Sequence, residues 1–272
     1  MAVVYGLIGY PLSHSWSAAY FTEKFKREGI RGATYAPFPL KDLSELTGLV
    51  RQTPGLRGLN VTIPYKEKVL DYLDELSETA RSIGAVNTIT LSHRQEKILL
   101  KGDNTDAFGF EKSLEENGIL SQGRDPAKNG VRAPAGPVKS GIQASDGAMV
   151  LGTGGASRAV RHVLESLGWD VLLVSRLPKE DLSVSYEALR SRHFQSCRLI
   201  VNTTPLGMYP EVGGCPPIPY EYLSADHILY DLVYNPEHTR FLEMGKKAGC
   251  RTIGGLRMLV LQAERSWEIW NP

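Results

Sequence analysis

Residues 148 to 174 spell out a strand, a glycine turn, a helix and a second strand, and this constrains the fold more than any other feature. Ala148-Met-Val-Leu151 is a continuous apolar run. Gly152-Thr-Gly-Gly-Ala-Ser157 follows it, then a helical segment from Arg158 to Leu167, stopped by Gly168, then the strand Asp170–Val174. Two strands joined through a crossover helix pair in parallel, with the helix packed on the sheet. The second half is therefore expected to be a parallel α/β unit. Leu199-Ile-Val201 and Ile228-Leu-Tyr-Asp-Leu232 read as further strands, and a helix from about Leu256 to Trp270 closes the chain.

The first half alternates in the same way. Val3–Ile8 reads as a strand and Ser17–Glu28 as a helix, with Ser15 or Ser17 as its N-cap. Ala33–Phe38 reads as a strand and Lys41–Gln52 as a helix, with further strands at 56–61, 86–91 and 97–101. Val69, Leu70, Leu73 and Leu76 recur at helical spacing and predict a helix from Glu67 to Leu76. Thr105 to Asn117 carries Phe108, Phe110 and Leu114 on a helical pattern, with Gly118 as its stop. The alternation predicts a mostly parallel α/β sheet here too. Residues 121–147 are rich in Gly, Pro, Ser, Ala and Lys and almost free of large apolar side chains. Such a segment buries too little apolar surface to offset its ordering entropy, so it reads as a poorly ordered loop between domains.

Composition excludes several functional classes. A chain of 272 residues with 42% apolar content can build one large core or two ordinary ones. A net charge of +1, with no basic run, gives no support to a nucleic-acid partner. No stretch approaches the ~20 apolar residues of a membrane-spanning helix, and the N-terminus lacks a signal-peptide pattern. Cys197, Cys215 and Cys250 are odd in number and widely spaced. They indicate neither disulfides nor a metal site, and fit free thiols in a reducing cytoplasm.

Four polar clusters sit next to strand ends, where α/β enzymes place functional side chains. They are Gly9-Tyr-Pro-Leu-Ser-His-Ser-Trp-Ser17, Asn60-Val-Thr-Ile-Pro-Tyr-Lys66, Ala85-Val-Asn-Thr88 and Gly102-Asp-Asn-Thr-Asp106. Four such sites in about one hundred residues suggest a single polar pocket. Together with the glycine turn, Asn202-Thr-Thr-Pro-Leu-Gly-Met208 and Gly255-Leu-Arg-Met-Leu-Val-Leu-Gln262, in this order, the chain resembles the shikimate dehydrogenase family from Tyr5 to Trp270.

The resemblance implies two α/β domains. One is a discontinuous substrate-binding domain of residues 1–104 and 256–272, because the last helix returns to the first domain. The other, residues 105–255, is a Rossmann-type, doubly wound NADP-binding domain. Gly152 and Gly154 suit a tight turn and close approach to a pyrophosphate, with Gly155, Ala156 and the helix N-terminus beside it. An NAD site usually carries an acidic residue at the end of the next strand. Val174-Ser-Arg176 stands there instead. Arg176 suits bidentate bonds to a 2′-phosphate, with Ser175 adding a hydrogen bond and Lys179 adding charge. The family often has Asn-Arg-Thr where this chain has Ser-Arg-Leu, which lacks one phosphate ligand. Thr203, Met208, Leu232 and Gly255 are implied to line the ribose and nicotinamide.

For the substrate, the resemblance makes Ser15 and Ser17 carboxylate ligands, with Tyr234 nearby. The two serines are also suited to helix capping. Thr62, Asn87 and Gln262 would order the ring hydroxyls together with Lys66 and Asp106. Lys66 and Asp106 form the implied catalytic pair. Lys66 accepts the alcohol proton, or its ammonium stabilises the developing alkoxide. An unperturbed lysine, with a pKa of ~10.4, is almost wholly protonated at neutral pH, so both roles stay open. His14 reads as structural. The expected reaction is NADP-dependent interconversion of 3-dehydroshikimate and shikimate by a monomer or homodimer. It requires a small-molecule substrate and no metal, membrane or nucleic acid. Three alternatives remain: a quinate/shikimate dehydrogenase using NAD, an enzyme for another small acid of aminoshikimate type, and a non-catalytic nucleotide sensor.

Overall fold

The computed structural model describes residues 3–12, 16–94, 97–120, 147–178 and 183–272. Ser15, His14, Lys179 and the low-complexity stretch 121–146 lie outside the described residues. The chain divides into two units, each described by itself. The first comprises Met1–Ala107, Gly154–Ala159 and Gln262–Pro272, and the second Phe108–Thr153 and Val160–Leu261.

In chain order, the first unit opens with β1 (Val3–Gly9), α1 (Trp16–Arg27) and β2 (Ala33–Pro39). A single turn Leu43–Glu45 leads into α2 (Leu46–Gln52). A capping box starts that turn, in which the Asp42 carboxylate accepts the Ser44 amide at 2.8 Å and the Glu45 carboxylate accepts the Asp42 amide at 2.9 Å. Then come β3 (Leu56–Val61), β4 (Glu75–Leu76), α3 (Glu78–Ile83), β5 (Thr88–Arg94) and β6 (Lys97–Asp103). α4 (Thr105–Glu116) begins at the edge of this unit. The strand order is β2-β1-β3-β5-β6-β4. The pairings β1–β2, β1–β3 and β4–β6 are parallel, while β3–β5 and β5–β6 are antiparallel.

The helix expected over Glu67–Leu76 does not form as one element. A short 3-10 helix covers Lys68–Tyr72, and Glu75–Leu76 pairs with Lys101 and Gly102 of β6. The apolar residues serve packing rather than helical periodicity: Val69 is buried in the core, with Leu70, Leu73 and Leu76 against it. Tertiary contact has overridden a local pattern here.

The second unit continues with β7 (Gly147–Leu151), α5 (Gly155–Ser166), β8 (Asp170–Ser175), β9 (Val184–Ser185), α6 (Ser191–Ser196) and β10 (Cys197–Asn202). β11 (Ile228–Asp231), α7 (Arg240–Lys247), β12 (Arg251–Ile253) and α8 (Leu256–Trp270) complete the chain. Gly147, which reads from sequence as loop, is buried and opens β7. α5 starts three residues earlier than Arg158. The order β12-β11-β10-β7-β8-β9 is parallel throughout. This is the doubly wound order, in which the chain reverses direction across the sheet between β7 and β10. Ligand sites in such sheets lie at the carboxyl ends of the strands flanking that reversal.

The end of α8 belongs to the first unit. Trp270 is buried, stacks on Tyr5 at 5.0 Å between ring centroids and donates its indole N–H to the Ile89 carbonyl at 3.0 Å. Gly58 makes this possible, because a Cβ there would fall 2.3 Å from the indole nitrogen. Truncating a buried tryptophan costs roughly 3–5 kcal/mol. The closing helix is thus a principal support of the first sheet, and it fixes the depth of Gln262 and Ser266 one to two turns upstream.

Candidate functional site

The first-unit site grows from the ends of β3, β5 and β6. The segment after β3 carries Thr62 and Lys66. Its backbone is pinned at both ends, by the Thr62 amide to the Ile8 carbonyl at 2.9 Å and by the Val86 amide to the Lys66 carbonyl at 2.7 Å. Asp106 sits in the first turn of α4. Asn104 caps that helix by accepting the Ala107 amide at 3.1 Å, and its own amide donates to the Ala85 carbonyl at 2.9 Å. The unsatisfied amides of the first turn favour a carboxylate at Asp106.

Lys66 Nζ donates to Asp106 Oδ2 at 2.6 Å. The lysine side chain is 18% exposed and the aspartate 8%, so the pair is largely shielded yet open on the lysine side. Among the described residues Asp106 is the one acceptor for Lys66, which leaves ammonium hydrogens for a ligand. The other carboxylate oxygen, Oδ1, accepts Asn87 Nδ2 at 3.0 Å. The Asn87 amide cannot turn over, because its Oδ1 accepts the Thr105 backbone N–H at 2.7 Å. Its Nδ2 therefore faces Asp106, the Thr105 hydroxyl at 2.9 Å and Gln262 Oε1 at 3.2 Å.

Beneath these groups lies a buried hydroxyl cluster. Ser266 donates to the Gln262 carbonyl at 2.9 Å and lies 2.8 Å from the Thr88 hydroxyl and 3.1 Å from the Thr105 hydroxyl. Asn60 donates to Ser266 at 3.0 Å and accepts from the Tyr35 hydroxyl at 2.8 Å. Ser17 hydrogen-bonds Tyr35, whose phenol is pushed far above its ordinary value by burial. Ser17, Asn87, Asp106, Lys66 and Gln262 are thereby linked through one network, with Thr62 on the same loop as Lys66. Partnered buried polar groups of this kind are held rigidly, since each broken bond leaves an unsatisfied group behind. Tyr234 lies in the second unit, where burial raises its phenol above the ordinary value.

The second-unit site lies at the strand ends flanking the reversal. Gly152 has φ +114°, and a Cβ there would come within 2.7 Å of the Thr203 hydroxyl, so glycine is required twice over. Thr203 closes on the same point, donating both its amide (3.0 Å) and its hydroxyl (2.7 Å) to the Leu151 carbonyl. Gly154 differs: a Cβ there would meet nothing within 4 Å. Packing does not demand a glycine at Gly154, and its bare backbone leaves open space beside the start of α5. That helix carries no acidic residue in its first turn. At the end of β8 the Ser175 hydroxyl donates to the Leu177 carbonyl and accepts its amide, each at 3.2 Å. This turn holds Arg176 exposed, and among the described residues no carboxylate pairs with it. Gly255 packs against Leu232, whose carbonyl oxygen would lie 2.3 Å from a Cβ. The turn before Met208 is closed by its amide to the Pro205 carbonyl at 3.1 Å. A strand end that requires glycine at Gly152, with a cation and no acid at the neighbouring strand end, fits a phosphorylated dinucleotide.

Comparison with known proteins shows the family. Residues 7–89 match the shikimate dehydrogenase substrate binding domain. The NADP(+) shikimate dehydrogenase of Halothermothrix orenii is 36% identical, over 98% of this chain and 90% of its own length. The chain belongs to the shikimate dehydrogenase family. Two crystal structures of family members superpose closely. Shikimate dehydrogenase 1 from Peptoclostridium difficile has a TM-score of 0.76 at 34% identity, covering 98% of this chain and 91% of that one. The Thermus thermophilus enzyme, in complex with NADP(H) and shikimate, has a TM-score of 0.78 at 30% identity, covering 99% and 93%.

For this shikimate dehydrogenase family member, sequence reading selects Lys66, Asp106, Asn87 and Gln262, and the structure brings all four together. It misses the supporting residues Tyr35, Thr88, Thr105 and Ser266, and gives Asn60 no role of its own. Two signals are present in the sequence. Asn60 is a polar residue in an otherwise apolar buried strand, and Ser266 follows Gln262 by one helical turn, on the same face. Also missed is Asp231, a carboxylate with no exposed surface at the end of β11. No helix among the described residues is long and apolar enough to cross a membrane, and among them no three His, Cys, Asp or Glu side chains cluster as a metal site would need.

Proposed function

We propose that this protein reversibly reduces 3-dehydroshikimate to shikimate with NADP as its cofactor. The observation that carries the reading is the 2.6 Å Lys66–Asp106 pair, oriented by an Asn87 amide that cannot flip, in a chain whose relatives are NADP-dependent shikimate dehydrogenases. Residues 1–104 with 256–272 form the substrate-binding domain and residues 105–255 the NADP-binding domain. The division of backbone contacts after Ala107 and after Leu261 supports these boundaries to within about six residues, while Gly154–Ala159 group with the first unit. The protein works as a monomer or homodimer in the cytoplasm. Three free cysteines suit that reducing compartment.

Ser15 and Ser17 donate to the substrate carboxylate, with Tyr234 assisting. Such charge-assisted bonds contribute roughly 1.5–3 kcal/mol each. Thr62, Asn87 and Gln262 order the ring hydroxyls. Gly152, Gly154, Gly155 and Ala156 admit the pyrophosphate to the first amides of α5. Ser175 shapes the turn that presents Arg176 to the 2′-phosphate, and Thr203, Met208, Leu232 and Gly255 surround the ribose and nicotinamide. NADPH held there would supply the hydride for the ketone carbon. Lys66 holds a proton at Nζ, donates it to the ketone oxygen as that oxygen gains charge, and accepts it back in the oxidative direction. Asp106 keeps Nζ aimed, and Asn87 keeps Asp106 from turning. Preorganised charge of this kind stabilises the developing alkoxide without reorganisation at the moment of reaction.

The test is the initial rate of cofactor reduction, followed by the absorbance of reduced nicotinamide, with shikimate or quinate crossed against NADP or NAD. Turnover confined to shikimate with NADP is expected. Preference for quinate with NAD would move the protein to a broader-specificity dehydrogenase. Inactivity of folded protein in all four mixtures would refute this assignment and leave a nucleotide sensor or an enzyme for another small acid.

A further inference from the structure

Asp231 is the most enclosed carboxylate of the second unit, and the proposed mechanism does not use it. It has no exposed surface, and burial raises its pKa to about 6. Its hydrogen bonds come from segments that carry proposed cofactor residues or their neighbours. Oδ1 accepts Asn202 Nδ2 at 2.9 Å and the Val233 amide at 3.0 Å, and Oδ2 accepts the Thr239 hydroxyl at 2.6 Å. Thr239 in turn caps α7.

The contact with Asn202 determines the loop that follows β10. With Nδ2 committed to Asp231, Asn202 Oδ1 must face forward, where it accepts the Thr204 amide at 3.0 Å and the Thr204 hydroxyl at 2.6 Å. That clasp folds the segment carrying Thr203 and leading to Met208. On the other side, Asp231 fixes the turn bearing Leu232 and Tyr234, and the Leu232 amide donates to the Asn202 carbonyl at 2.9 Å. A Cβ at Gly255 would lie 2.9 Å from the Asp231 carbonyl oxygen, so the third segment packs on the same point.

We infer that Asp231 is a positioning residue for the cofactor: through Asn202 and Val233 it sets the two loops that receive the nicotinamide half of NADP. This rests on the NADP reading above. The two Asp231 oxygens accept from both loops and from the residue that caps α7, so shape and acceptor oxygens carry the positioning.

Equilibrium binding tests it, by titration calorimetry of NADP and, separately, of shikimate into wild-type protein and four variants. Asp231→Ala and Asn202→Ala each break the clasp and should weaken NADP binding about tenfold, the scale of one lost hydrogen bond to a charged group. The double variant should also lose about tenfold rather than about a hundredfold, because both changes remove one device. Asp231→Asn keeps shape and acceptor, and should bind NADP like the wild type. Shikimate binding should be unchanged throughout. In wild-type protein, NADP should slow hydrogen exchange at the Thr204 and Val233 amides together, a readout that does not depend on any variant folding. Normal NADP binding by Asp231→Ala, multiplicative losses in the double variant, or exchange at Thr204 and Val233 that ignores NADP would overturn the inference alone. No NADP binding by the wild type would overturn it together with the cofactor reading.

Discussion

Replacing Asp231 by asparagine should stabilise the protein near neutral pH and do nothing of the kind in acid. Burial raises this carboxyl from an ordinary 3.8 to about 6, against the opposing pull of hydrogen bonds from Thr239, Val233 and Asn202. Between those two values the folded protein holds a proton that the unfolded chain has released. Stability therefore falls as pH rises through that window, and the cost is fully present above about pH 6. The gap corresponds to about 3 kcal/mol, at ~1.4 kcal/mol for each pH unit. Asparagine has no proton to lose. Its oxygen can accept from Asn202 and Val233, and its amide can donate to a reoriented Thr239 hydroxyl. The assay is denaturant unfolding of both proteins from about pH 3 to about pH 7. Glu28, Asp42, Asp74 and Glu116 have lowered pKa values and lose stability in acid, but they do so in both proteins and cancel in the difference. The stability of the variant minus that of the wild type should rise by about 3 kcal/mol across the range. A flat difference, or one that falls with pH, would mean that burial does not raise the Asp231 carboxyl.

Three further outcomes follow from the geometry. Arg176→Ala should raise the KM for NADP by about tenfold to a hundredfold while leaving that for NAD unchanged, since it removes the charge-assisted bonds to the 2′-phosphate; equal effects on both cofactors would contradict the assignment. Gly154→Ala should fold with wild-type stability, because its Cβ meets nothing within 4 Å, yet bind NADP more weakly by calorimetry. Unchanged affinity there would remove the pyrophosphate from this loop. Gly58→Ala drives a methyl group into the Trp270 indole and should lower unfolding stability by about 1–3 kcal/mol, and a neutral result would mean that α8 is not pinned where Trp270 lies.

Much of this is legible in the sequence because it is local. The run from Ala148 to Val174 contains its own strand, turn, helix and strand, and all of them form. The helix from Thr105 is legible from its apolar spacing, while the Asn104 cap at its start shows only in the structure. Other features cannot be read in this way. Ser266 meets Asn60 across 206 positions, a contact set by the return of α8 rather than by any spacing. Glu67–Leu76 misleads because its apolar pattern fits a helix and a core-facing segment equally. β4 forms because Glu75 and Leu76 find the edge of β6. Asp231 escapes notice because an acidic residue at a strand end looks solvated until the loops that cover it are known. The catalytic and binding candidates are thus visible by residue type, while the groups that aim them depend on contacts distant in sequence.

The kinetics of Lys66→Ala with shikimate and NADP bear most directly on the central claim, that the Lys66–Asp106 pair carries the proton in this reaction. In that variant kcat should fall by ~100-fold or more while KM for shikimate stays within about threefold, because the lysine acts on the transition state more than on the bound substrate. Turnover comparable to the wild type would contradict it.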